Sequence, residues 1–171
     1  MKFMSATDDL FRAVKRGTTV REVKALIAAG ADLTATDEKN YTVLMAASDH
    51  HASDEVIGAL IRAGADVNAT DSYGTTALLL TAMSDPNPAI VRTLVRAGAN
   101  INHTNMFGNT PLMMAAANNH NPGVVRLLID LGANVFARNS DGRTALDCAD
   151  FGDYEPSHVR EVKSFILRAM K

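Results

Sequence analysis

The sequence predicts an all-α solenoid of about five stacked helix-loop-helix units joined by β-hairpin-like turns. Three observations carry this reading. Ala29-Gly30-Ala31-Asp32 recurs as Ala63-Gly64-Ala65-Asp66, Ala97-Gly98-Ala99-Asn100 and Leu131-Gly132-Ala133-Asn134, at a spacing of 34 residues each time. Further columns keep that register: Leu26, Leu60, Leu94 and Leu128; Thr42, Thr76, Thr110 and Thr144; Leu44, Leu78, Leu112 and Leu146. Within each period the apolar residues fall at helical spacing, as in Val56, Ile57, Leu60 and Ile61. Repetition of this length marks stacked supersecondary units, none of which buries its apolar face alone.

Each element has a local cause. One helix per unit opens at Ser53, Asn87 or Asn121, whose side-chain oxygens accept from free N–H groups of the first turn. Pro88 and Pro122 follow at the first helical position, where a missing N–H costs nothing. Gly30, Gly64, Gly98 and Gly132 fit the left-handed position that stops a helix. A short extended piece is expected next, as at Asp66-Val67-Asn68-Ala69, then a turn at Gly74, Gly108 or Gly142. Asn40, the best non-Gly residue for positive φ, replaces the glycine of the first turn. A second, Ala-rich helix begins after each threonine of the Thr42 column.

The segments Asp71-Ser72-Tyr73-Gly74-Thr75-Thr76-Ala77-Leu78 and Asn105-Met106-Phe107-Gly108-Asn109-Thr110-Pro111-Leu112 resemble the ankyrin signature, as do Gly64-Ala65-Asp66-Val67-Asn68 and Gly98-Ala99-Asn100-Ile101-Asn102. A 34-residue period also suits tetratricopeptide repeats, but their Trp-Leu-Gly pattern is missing. The resemblance covers nearly the whole chain and implies an ankyrin-repeat solenoid, a single domain over 1–171 with units 1–36, 37–70, 71–104, 105–138 and 139–171. The chain departs from the motif where its histidine becomes Met45, Leu79, Met113 and Asp147, and where its proline survives only at Pro111. The first and last units read as caps, since terminal repeats need a solvated outer face. The last carries an altered loop, Asp153-Tyr154-Glu155-Pro156, and then a helix from Ser157 with Val159, Val162, Phe165 and Ile166 on one face. Two caps predict a complete array.

Composition narrows the function. The 171 residues carry 17 Lys+Arg against 19 Asp+Glu, which lacks the basic excess of a general nucleic-acid binder. Aromatics are 5% with no Trp, a poor supply of stacking platforms for single strands. One cysteine, Cys148, excludes an internal disulfide framework. No stretch reaches the roughly 18 apolar residues of a membrane span, and the acidic Asp8-Asp9 precludes a signal core. A cytoplasmic monomer without nucleic-acid or membrane partners is expected.

The five histidines and Cys148 are the candidates for chemistry. His50, His51 and His120 fall in equivalent loops two units apart, too distant to share a metal whose ligand bonds are about 2 Å. His103 and His158 have no neighbour at ligand spacing, and Cys148 has only His158 near it in sequence as a base. Asp8-Asp9 and Asp54-Glu55 fit helix first turns, and Asp37 and Asp71 fit turn closure. Phosphate-loop, nucleophile-elbow and zincin motifs do not occur. The eight methionines read as core filler. The expectation is no enzyme, no catalytic residue, no cofactor and no metal.

What remains is surface. The family resemblance implies partner docking on a concave side built from hairpin tips and first-helix edges. By motif position the tips are Glu38, Lys39 and Tyr41; Ser72, Tyr73 and Thr75; Met106, Phe107 and Asn109; Ser140, Asp141 and Arg143. The edges are Ala46, Leu80 and Met114, then Asp49, His50, Met83, Ser84 and Asn118. Tyr73, Met106 and Phe107 should form an apolar patch on adjacent fingers, with Tyr41 close by. Charge is uneven: residues 25–157 hold seven Lys/Arg against fifteen acids, while both ends are basic. An acidic concave wall would steer a protein partner with a basic surface, though acidic residues also serve solubility. The expected function is a non-catalytic protein-protein interaction module. A dedicated inhibitor or immunity-type protein masking an enzyme or toxin is the alternative within binding, and an enzyme or metal-binding protein using Cys148 or the histidines is the alternative outside it.

Overall fold

The threonine-led and Ser/Asn-led segments fold as alternating helices in a computed structural model that describes residues 5–84, 86–152 and 154–171. The helices are α1 (Ala6–Arg16), α2 (Val20–Ala28), α3 (Val43–Asp49), α4 (Asp54–Arg62), α5 (Ala77–Ser84), α6 (Pro88–Arg96), α7 (Pro111–Asn118), α8 (Pro122–Asp130), α9 (Ala145–Cys148) and α10 (Pro156–Ala169). Odd-numbered helices pack in sequence as an inner layer, and even-numbered ones pack behind them as an outer layer. This is a two-layer solenoid whose core is a seam between neighbouring units.

Local chemistry sets the helix ends. Thr42, Thr110 and Thr144 accept the amides of Met45, Met113 and Asp147 at the inner-helix N-termini, and Thr76 accepts that of Leu79 at 3.3 Å. Thr19, Ser53, Asn87 and Asn121 cap the outer helices in the same way. Gly30, Gly64, Gly98 and Gly132 hold φ between 89° and 97° just beyond the outer helices, and Asn40 holds 59° in the first hairpin.

Leu44, Leu78 and Leu112 from the inner layer and Leu60, Leu94 and Leu128 from the outer layer are fully buried. Met45, Leu79 and Met113, which stand at the motif histidine's place, are buried with them as apolar wedges. Asp147, the fourth of that column, instead completes a capping box with Thr144.

As the all-α class requires, no strand forms among the described residues, and the hairpin-like turns carry one isolated antiparallel bridge, Thr36 with Thr42. Two expectations need correction. Asp66–Ala69 is a turn rather than an extended piece, because Asp66 Oδ1 accepts the Asn68 amide at 2.9 Å. The last helix starts at Pro156, one residue earlier than expected, since proline fits the first helical position. Asp153, named in the altered loop, lies outside the described residues.

Candidate functional site

Four hairpins project from the inner layer, and each is closed by one side chain. The Oδ1 atoms of Asp37, Asp71, Asn105 and Asn139 each accept two tip amides, two and four residues on, at 2.7–3.1 Å. The fingers are then tied together. Met106 N donates to the Tyr73 carbonyl at 2.9 Å, and Ser140 N donates to the Phe107 carbonyl at 3.0 Å. Asn40 Nδ2 donates to Ser72 Oγ, and Asn139 Nδ2 to Asn109 Oδ1, both at 2.8 Å. His103 also joins two units, its ring Nε2 donating to the Gly74 carbonyl at 2.9 Å.

Between the second and third fingers and helices α5 and α7 lies a hollow of about 280 Å³. Tyr41, Tyr73 and Phe107 wall it; Leu79, Leu80, Met83 and Met114 form its base, with Asp71, Thr75 and Asn105 at the polar margin. Tyr73 is 58% exposed, Met106 61% and Phe107 54%, so three large apolar side chains on adjacent tips face solvent. Burial raises the Tyr41 phenol pKa most, and the carboxylates of Asp49, Asp71 and Asp37 push it further the same way.

Two family models describing ankyrin repeats match the sequence, one of three copies over residues 10–105 and one of many copies over 94–149. The first alone spans more than half the chain. The chain belongs to the ankyrin-repeat family. No curated protein matches it. Ankyrin repeats generally serve as protein-protein interaction modules.

In this ankyrin array the residues expected at the concave face fall into four groups. Tyr41, Tyr73, Thr75, Leu80, Met83, Phe107 and Met114 line one hollow. Glu38, Lys39, Ser72, Met106, Ser140, Asp141, Arg143, His50 and Asn118 are exposed, whereas Asn109, Asp49 and Ser84 are half-buried. Ala46 is a correction: it is fully buried, on a helix packed between the inner helices α1 and α5. Of its column mates, Leu80 is also buried and Met114 half-buried, yet both line the hollow.

Some of the cations expected on this face are engaged. Lys39 Nζ lies 3.5 Å from Asp49 Oδ2 and 5.4 Å above the Tyr41 ring. Arg143 lies 3.5 Å from Asp141 and stacks over Phe151 at 4.3 Å. Phe151 was not among the expected residues, yet it follows Asp49, Met83 and Ala117 at the 34-residue period. That column was the signal that could have found it. Phe136, also exposed, holds the place of Asn68 and Asn102, whose side chains bond to the next unit.

The other chemical candidates acquire structural surroundings. Cys148 is 6% exposed, and burial pushes its thiol pKa up, away from the thiolate that nucleophilic catalysis needs. His120, expected in a loop equivalent to that of His50 and His51, and His158, which has no neighbour at ligand spacing in the sequence, both pack against Tyr154, at centroid distances of 5.2 and 4.4 Å. Among the described residues no three His, Cys, Asp or Glu side chains are placed to hold a metal ion. Among the same residues no helix is long and apolar enough to cross a membrane.

Proposed function

We propose that this chain is a non-catalytic interaction module that binds a partner protein on its concave face, with Tyr73, Met106 and Phe107 as anchors. The exposure of these three side chains on two bonded fingers beside an apolar hollow is the observation that supports the reading. Large apolar groups on a rigid surface are the usual carriers of binding energy at interfaces. Fingers already bonded to one another lose little freedom on association, so more of the contact energy appears as affinity. The partner acts on a monomer, in the cytoplasm, with no nucleic acid or membrane involved.

The test is affinity capture from the source cell, with the captured partner titrated against wild type and a Tyr73→Ala, Met106→Ala, Phe107→Ala triple variant. The expected result is a loss of at least about 100-fold, since each anchor contributes on the order of 1 kcal/mol or more. Retention of affinity within about twofold would show that the partner docks elsewhere.

A further inference from the structure

Asp37 and Asp71 occupy the same place in successive hairpins, and each uses Oδ1 to close its own turn. Their surroundings differ. Asp37 Oδ2 lies 2.8 Å from Lys15 Nζ, an ammonium supplied by the preceding inner helix. One period later Lys15 is replaced by Asp49, and among the described residues no cation is paired with Asp71. The third and fourth hairpins have Asn105 and Asn139 at this place and carry no charge there. Asp71 is thus the column's one carboxylate without a counter-ion among the described residues, and it stands at the margin of the hollow beside Tyr41 and Tyr73.

The hollow and the carboxylate together define an occupant. An open hollow of about 280 Å³ between protruding fingers has room for a side chain inserted from a partner's surface. The base of Leu80, Met83 and Met114 favours an apolar one, and two methionines let the walls adapt to its shape. Beside it, the Asp71 carboxylate favours a cation, while Lys39 is already held by Asp49. We propose that the hollow takes a Leu, Met or Phe side chain from a segment of the partner protein, and that Asp71 pairs with a Lys or Arg adjacent to it in that segment. This rests on the concave-face reading and adds to it the chemistry of the partner. The Lys15–Asp37 pair is the intramolecular precedent for the contact.

A random heptapeptide phage library panned on the full-length chain tests this directly. Asp71→Asn is the informative variant, because Asn105 and Asn139 show that asparagine closes the same turn. Enrichment of Lys or Arg within two residues of Leu, Met or Phe is expected. The winning peptide should weaken roughly two- to fivefold on Asp71→Asn and lose affinity as salt is raised. Panning on Asp71→Lys should select acidic residues instead. No enrichment, enrichment without basic residues, or equal binding by wild type and Asp71→Asn would overturn the inference. If any of these results accompanied loss of the native partner by the finger-tip triple variant, the concave face would stand and only the partner chemistry would fall. A basic-apolar peptide seated in the hollow, with the native partner unaffected by the triple variant, would overturn the concave-face reading instead.

Discussion

The amide of Met106 donates to the carbonyl of Tyr73 across 2.9 Å, fixing the third finger to the second through backbone alone. Phe107 extends the chain of contacts by accepting from Ser140 at 3.0 Å. Tyr73 and Phe107 therefore each sit on a residue whose main chain is held by the next unit. Side-chain rotation is the chief freedom left to Tyr73 and Phe107, which makes the apolar rim of the hollow a preorganised feature.

That geometry makes Gly108 and Gly142 unequal, although their φ values of 73° and 76° are nearly the same. A Cβ on Gly108 would meet Ser140 N at 2.9 Å and Asn139 Cα at 3.0 Å, whereas one on Gly142 meets nothing within 4 Å. Gly142→Ala should cost about 1–2 kcal/mol, the penalty of a left-handed L-residue. Gly108→Ala should cost at least about 1 kcal/mol more, because backbone of the fourth hairpin must also shift. Urea unfolding of the two variants compares them, and equal midpoints would show that the third and fourth hairpins do not support each other.

Asp37 gives the array an acid-sensitive contact. Burial is the largest influence on its carboxyl and pushes the pKa up. The Lys15 ammonium and the amides of Tyr41 and Lys39 together outweigh it and hold the pKa below the ordinary value. A pKa lower in the folded than in the unfolded chain stabilises above the unfolded value of about 3.9, and that stability is lost as pH falls through the folded pKa. At pH 7 Asp37→Asn should therefore destabilise by about 1–2 kcal/mol, with asparagine still closing the turn. The difference from wild type should shrink as pH drops below about 4. Urea midpoints measured from pH 7 to pH 2.5 check both statements, and a difference independent of pH would remove the ion pair as its cause.

Most of the fold was legible because its causes are local and repeated. Thr42, Ser53, Pro88 and Gly64 act within a few residues of themselves, so the period displays each cause several times. The hollow was half legible. Tyr73 and Phe107 follow from their turn positions, but burial of Ala46 depends on how closely α1 and α5 flank α3, which periodicity does not encode. Phe151 keeps the 34-residue register of Asp49, Met83 and Ala117, but none of those column mates is aromatic, so the column marks the position without marking its chemistry. The His120–Tyr154–His158 ring cluster joins the loop after α7 to the altered last loop and the first turn of α10, and among the described residues it has no counterpart.

Cys148 offers a probe of opening at the C-terminal end. Its burial and raised pKa predict slow alkylation by iodoacetamide in the native chain at pH 7. The rate should rise to that of a free thiol in denaturing urea and, below that, track local unfolding of α9 and α10. Mass spectrometry of quenched time points measures it. Native labelling as fast as in urea would show an accessible thiolate and reopen the case for cysteine chemistry.

Asn119 is fully buried in the loop after α7, and it stitches two units together. Its Nδ2 donates to the Ala82 carbonyl at 2.9 Å, and its Oδ1 accepts the Asn121 amide at 2.9 Å. Asn121 in turn caps α8 and donates to the Pro86 carbonyl at 2.7 Å. Asn119→Ala would leave a buried carbonyl and a loop amide unsatisfied, at about 1–3 kcal/mol, and would loosen the cap of α8. Asn118→Ala, next along the chain, removes an exposed side chain that bonds only within its own helix, and should change stability by less than about 0.5 kcal/mol. Chemical denaturation of the two neighbours separates the effects. Native-state hydrogen exchange should show faster exchange at α8 amides in the Asn119 variant alone, and unchanged α8 protection would mean that the cap does not depend on the buried amide.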